Sequence, residues 1–249
     1  MKRRFEKLQE SVLRTLTILA VGVATLLTLA SCDHTAPKEP RLVMVFIDVS
    51  LSTLPDRENY KKYIDLIISQ LEAGDRIMVS KILDLTIAEF APIYDAKFPA
   101  FNMFSDNRTR YDKTIREMSA QIMATVDSVL DMRSKVQKSE IVNSFLICDQ
   151  VMRGWSGKKS IVIISDMQES SSEFNFDTDH VTPAYLENVL ATLKLKHRIP
   201  KLHGVDVWIA GAYAKDTEQF FAVQDFWKRY IVETGAELRS YSHTLLDFE

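Results

Sequence analysis

Asp48, Ser50 and Ser52 stand at alternate positions directly after the apolar run Leu42–Ile47. A strand ending there delivers one carboxylate and two hydroxyls together at its carboxyl end, where open α/β sheets bind ligands. An all-oxygen set of this kind suits a hard cation such as Mg2+ or Mn2+. The same pentapeptide also fits a strand running into a Ser-capped turn, so the rest of the chain has to decide. A second apolar run, beginning at Ser160, ends in Ser165-Asp166, and Ser139-Glu140-Ile141 has the form of a helix entry whose hydroxyl could face the same crevice.

These side chains need elements to position them. Leu54-Pro55-Asp56 reads as a helix start, and Tyr60, Tyr63, Ile64, Ile67, Ile68 and Leu71 recur at helical spacing up to Gly74-Asp75. Arg76–Leu83 is the next strand, so strand, loop, helix and strand make one crossover unit. Thr86–Ile93 reads as a third strand at the sheet edge, paired to the second through an Asp84-Leu85 turn. An irregular stretch from Tyr94 to Asp112 follows, then a long amphipathic helix with Ile115, Met118, Ile122, Val126, Val129 and Val136 on its core-facing stripe. Helices at Pro183 to about Lys196 and Thr217–Thr234, with strands at Val205–Ala210 and Leu238–Tyr241, complete the alternation. The expected fold class is α/β, a doubly wound and mostly parallel sheet with helices on both faces.

The Asp48–Ser52 pentapeptide, the Gly74-Asp75-Arg76 strand entry, the Ser139-Glu140-Ile141 helix entry and the strand ending at Asp166 together resemble a von Willebrand factor type A (vWA) domain, over roughly residues 41–245. The resemblance implies a Rossmann-like fold and a metal-ion-dependent adhesion site. Its ligands would be Asp48, Ser50, Ser52, Ser139 and Asp166, holding Mg2+ or Mn2+. Ser139 stands for the family's Thr, with Thr109 the alternative, and Met167 stands where a Gly commonly follows the last Asp. A cation held mainly by neutral hydroxyls stays electrophilic, and the resemblance implies that it takes an acidic residue of a partner protein as its last ligand. Phe101 and Phe104, in the irregular stretch, are candidates for a partner surface on a rim loop near the metal, or else tuck onto the domain.

At the other end of the chain, Lys2, Arg3, Arg4, Lys7 and Arg14 precede an uncharged apolar stretch from Leu16 to Ala30. This is the layout of a secretion signal, and its apolar core falls short of the roughly 20 residues of a spanning helix. Leu29-Ala30-Ser31-Cys32 resembles the lipobox of bacterial lipoproteins. That resemblance implies a signal peptide over residues 1–31 and a lipidated Cys32, with 32–40 a short tether and 41–249 a vWA-like domain carrying a helical insertion around 94–137. The mature protein would be lipid-anchored in the bacterial cell envelope, on the outer side of the cytoplasmic membrane, with Asp33 resembling a retention signal for that membrane.

Composition narrows the remaining classes. The chain has 249 residues and a net charge of −3; residues 1–31 carry five basic and two acidic side chains, leaving 26 and 32 and a net charge of −6 for the remainder. Nucleic acid or an anionic lipid surface is therefore not the expected main partner. Cys148, in Phe145-Leu146-Ile147-Cys148, has no intramolecular partner once Cys32 is lipidated and is expected on a buried helix face. The five His show no ligand spacing. A haloacid-dehalogenase-like phosphohydrolase would need a second acid two residues after Asp48, where Ser50 stands. The expected role is thus not enzymatic: an envelope protein-interaction module working through a divalent cation. A metal-independent scaffold with a vestigial motif is the alternative.

Overall fold

A computed structural model describes residues 39–82, 90–102, 105–131 and 138–248. The leader, Cys32 and Phe104 lie outside the described residues, and residues 39–249 form one compact unit. The central strand β1, Arg41–Asp48, is buried from Leu42 to Asp48, because helices cover both faces of the sheet. Alternation divides it: Leu42, Met44 and Phe46 enter one core, and Val43, Val45 and Ile47 the other.

Six strands are arranged in the order β3-β2-β1-β4-β5-β6. β2 (Arg76–Ile82) and β4 (Lys158–Ile164) flank β1 in parallel, with Asp48 level with Ile82, and Ile47 with Ile164. β5 (Val205–Ala210) and β6 (Glu237–Tyr241) extend the parallel sheet beyond β4. From β1 the chain winds outward to β2 and then returns to the other side of β1 for β4. The strand order therefore reverses beside β1, and the crevice of a doubly wound sheet opens at the carboxyl ends of β1 and β4.

α1 (Arg57–Ser69) follows a short 3-10 turn at Leu54–Asp56 and packs with α2 (Arg108–Asp131) on one face. α2 buries Ile122, Val126, Val129 and Leu130 in the same core as Tyr60, Ile64 and Ile67 of α1, so it is a full member of that layer. On the other face lie α3 (Ile141–Met152), α4 (Pro183–Leu195) and α5 (Thr217–Thr234). Cys148 is buried on α3, and burial pushes its thiol pKa well up, as suits a small core hydrophobe. Among the described residues no helix is long and apolar enough to cross a membrane.

Two expectations about the segment after β2 need correction. The edge strand β3 is Tyr94–Lys97, antiparallel to β2 with Val79 level with Tyr94, and residues 90–93 of the expected Thr86–Ile93 strand are irregular. Its first anchor is the amide of Ile93, which donates to Val79 O at 2.8 Å. Local β propensity favoured the Thr and Ile of the earlier run, whereas pairing to a buried neighbour decides where an edge strand starts. Residues 86–89 lie outside the described residues. β3 also runs toward the amino end of β2, so the loop after it emerges at the end of the sheet opposite Asp48.

Candidate metal centre

Asp48 is the last residue of β1 and is completely buried. Three serines donate hydrogen bonds to its carboxylate. Oδ1 accepts from the Ser50 amide at 2.9 Å and from Ser139 Oγ at 3.1 Å, and Oδ2 accepts from Ser165 Oγ at 2.7 Å. The loop is shaped by its own short side chains. Thr53 Oγ1 donates to the carbonyls of Asp48 and Ser50, at 3.1 and 3.0 Å, while Arg57 donates to Val49 O at 3.1 Å and also to Leu130 O. Ser50 and Ser52 consequently face each other, with their hydroxyl oxygens 3.0 Å apart.

Asp166 arrives from β4, across the crevice. Its Oδ1 accepts from the Gln168 amide at 3.0 Å, and its side chain takes a further hydrogen bond from Ser52. Met167 adopts a left-handed φ of 67°, in the place where the family pattern has Gly. Such a backbone costs a non-glycine residue about 1 kcal/mol. The surroundings hold it there: Met167 is buried, its amide donates to Ser165 Oγ at 3.0 Å, and its carbonyl accepts from Trp227 Nε1 at 3.0 Å.

Ser139 is tied in by a two-residue bridge to Ser170, with amide-to-carbonyl distances of 3.1 and 3.0 Å. It, and not Thr109, is the hydroxyl at Asp48. Thr109 lies in the first turn of α2, beyond the loop that emerges at the other end of the sheet. Phe101 belongs to that distant loop too, 4.9 Å from the Tyr111 ring and beneath the Arg108 guanidinium at 5.2 Å, so it does not line a rim around Asp48. The apolar rim that does adjoin the crevice carries Leu51, Leu54, Tyr213 and Phe221, all exposed. A groove of about 730 Å³ runs there from Ser52 past Tyr213 to Phe220 and Phe221.

The electrostatics of this pocket are unbalanced. Burial raises the pKa of Asp48 against the pull of its hydrogen bonds from Ser50, Ser165 and Ser139. Burial, and then the charge of Asp48, push Asp166 up to about 7, with Ser52 and Gln168 opposing. Neither acid forms an ion pair among the described residues. Beneath them Tyr60, on α1, is buried, and its Oη has no hydrogen-bond partner among the described protein atoms. Burial raises its pKa most, followed by the charges of Asp48 and Asp166.

A hard divalent cation fits this donor set. All of the side chains are oxygen ligands; two like charges are buried without a protein cation; and a buried hydroxyl lies close by without a protein partner. Among the described residues no three His, Cys, Asp or Glu side chains gather to hold a metal, so such a site would have two carboxylates at most and owe the rest of its shell to hydroxyls and water. Ser165 and Tyr60 are the residues that sequence reasoning missed. Ser165 was visible only as the neighbour of Asp166, and Tyr60 only as one of a core-facing helical series.

No family model and no curated protein matches the chain. Among solved structures it is similar to the human COPII-coat protein Sec24c, at 9% identity over 86% of this chain and 31% of that one, with a TM-score of 0.40. It is also similar to a von Willebrand factor type A structure from Catenulispora acidiphila, at 11% identity over 80% and 43% of the two chains and a TM-score of 0.37. A third is an aerotolerance-related membrane protein from Bacteroides fragilis with multiple mutations to serines, at 13% identity over 80% and 90%, also at 0.37. The chain thus spans less than half the length of the first two. The α/β class itself stands on the order and register of the six strands.

Proposed function

We propose that the chain is a vWA-type protein-interaction module that binds an acidic residue of a partner through a divalent cation. The observation that carries this reading is the convergence of Asp48, Ser50, Ser52, Ser139 and Asp166 from three separate segments on one crevice. These side chains would hold Mg2+ or Mn2+, and the cation would supply an electrophilic position for a carboxylate. The exposed Leu51, Leu54, Tyr213 and Phe221 give the partner an apolar surface beside that position. With the leader and Cys32 read as in a lipoprotein, the module would be anchored on the outer side of the cytoplasmic membrane and meet an envelope protein. The position two residues after Asp48 is Ser50, and both oxygens of Asp48 are engaged by donors, which speaks against an aspartyl nucleophile with a neighbouring general acid.

One observation favours the second reading, a metal-independent scaffold. The Asp48 carboxylate satisfies both oxygens with protein donors alone. Thermal unfolding of residues 39–249 in EDTA and then in millimolar Mg2+ or Mn2+ separates the two. A ligand that binds only the folded state raises stability by RT ln(1 + [L]/Kd), about 2.7 kcal/mol at a hundredfold excess over Kd. The metal reading expects a rise in Tm that disappears in Asp48→Ala, together with EDTA-sensitive capture of an envelope protein. Equal Tm values in the two conditions, with capture indifferent to EDTA, would establish the scaffold instead.

A further inference from the structure

We infer that the end of the domain opposite the metal crevice is a docking face for an anionic lipid surface. The inference rests on the lipid tether of the proposed function and not on its metal.

β1, β4 and β5 are parallel, so Arg41, Lys158, Lys159 and Val205 mark one end of the sheet. The chain enters the domain at this end. Pro40 is pressed so closely against Gly157 that a Cβ on the glycine would lie 2.0 Å from the Pro40 carbonyl oxygen. Asp33–Glu39, seven residues, join this point to Cys32, and a fully extended segment of that length spans about 25 Å at most. A lipid at Cys32 therefore keeps the domain within that distance of the bilayer at its point of entry.

The surface there has the chemistry for such a neighbour. A basin of about 830 Å³ lies between α3 and the turn from α4 to β5, with Arg153, Lys159, Lys194, His197, Lys201 and His203 in its wall. Its acids are already engaged, Asp149 with Arg153 at 3.3 Å and Glu233 with Lys194 at 2.6 Å. Lys158, Lys159 and Lys201 have no ion pair among the described residues, so the basin and its edge carry more basic than acidic side chains, in a chain whose net charge is negative. Two apolar side chains stand beside the basin on the last turns of α4 and α5, where Leu195 is 81% exposed and Val232 72%. Leu195 sits between Lys194 and Lys196, and apolar tips among lysines are suited to the boundary between headgroups and acyl chains. The net charge of −6 after the leader argues against an anionic surface as partner only if charge is spread evenly, and here it is not.

The full-length chain, reconstituted into vesicles of phosphatidylcholine alone or with added phosphatidylglycerol, tests this by flotation and by acetylation of each lysine followed by mass spectrometry. Phosphatidylglycerol should slow acetylation of Lys158, Lys159 and Lys201 by about fivefold, the factor a lysine near an anionic surface is worth, and high salt should restore it. Lys62 and Lys215 should keep their rates. In Lys159→Glu with Lys201→Glu, flotation should persist and the protection of Lys158 should be lost. Equal acetylation in both lipids by a chain that floats would overturn the docking face and leave the tether intact, whereas a chain that fails to float would overturn the tether first. The same protection from glycerol phosphate without vesicles would overturn a membrane surface as the ligand.

Discussion

At the scale of single residues, the crevice depends on hydroxyls that do two jobs at once. Ser165 donates to Asp48 Oδ2 at 2.7 Å while accepting from the left-handed Met167 at 3.0 Å, so it joins the two acidic segments. Ser165→Ala removes both bonds and leaves a buried carboxylate oxygen and a buried amide without those partners, which costs about 1–3 kcal/mol. Chemical unfolding in EDTA should show that loss, and the rise in Tm on adding Mg2+ should shrink, because Asp48 is no longer held in place. An unchanged metal response would mean that Ser165 serves the fold only. Asp48, Ser50, Ser52 and Asp166 were legible in the sequence because each follows an apolar run that can only be a buried strand. The choice between Ser139 and Thr109 was not legible, since spacing along the chain says nothing about which end of the sheet a hydroxyl reaches.

At the scale of elements, α3 shows how a helix can be capped from a distance. Its N-cap residue Glu140 makes no side-chain cap, and the carboxylate of Glu169 instead accepts from the Val142 amide at 3.0 Å and from that of Ile141. Glu169 is fully buried, and burial raises its pKa to about 8 against the pull of these amides and Arg198. A carboxyl whose folded pKa lies above its unfolded value gives stability that is present below pH about 4.5 and lost as pH rises through about 8. Comparing urea unfolding of the native protein and Glu169→Gln between pH 5 and 8 isolates this group. The native protein should lose on the order of a few kcal/mol more than the variant across that range, and parallel curves would show that Glu169 does not titrate there. Sequence periodicity found α3 and its entry, because apolar spacing marks the helix itself. It could not find the cap, which sits 27 residues away on the bridge partner's side of the loop. The misplaced edge strand has the same cause, for partner choice is a tertiary decision.

At the scale of the whole molecule, the sheet order brings two uncompensated acids together at the reversal point, and this sets a tension between stability and binding. The alternation of strands and helices was legible in the sequence, but the return of the chain across β1, which makes the crevice, was visible only through the resemblance to a family. A site that keeps two buried like charges without a protein cation is expected to weaken the metal-free fold. Asp48→Asn tests this, because it keeps the size of the side chain and one carbonyl acceptor while removing one of the two charges. In EDTA at pH 8, above the pKa of about 7 of Asp166, the variant should unfold at a temperature equal to or higher than that of the native protein. In millimolar Mg2+ the order should reverse, as only the native protein gains from the metal. If the variant were the less stable protein in both conditions, the serine donors to Asp48 would outweigh its repulsion from Asp166, and the crevice would be a structural network complete without a cation.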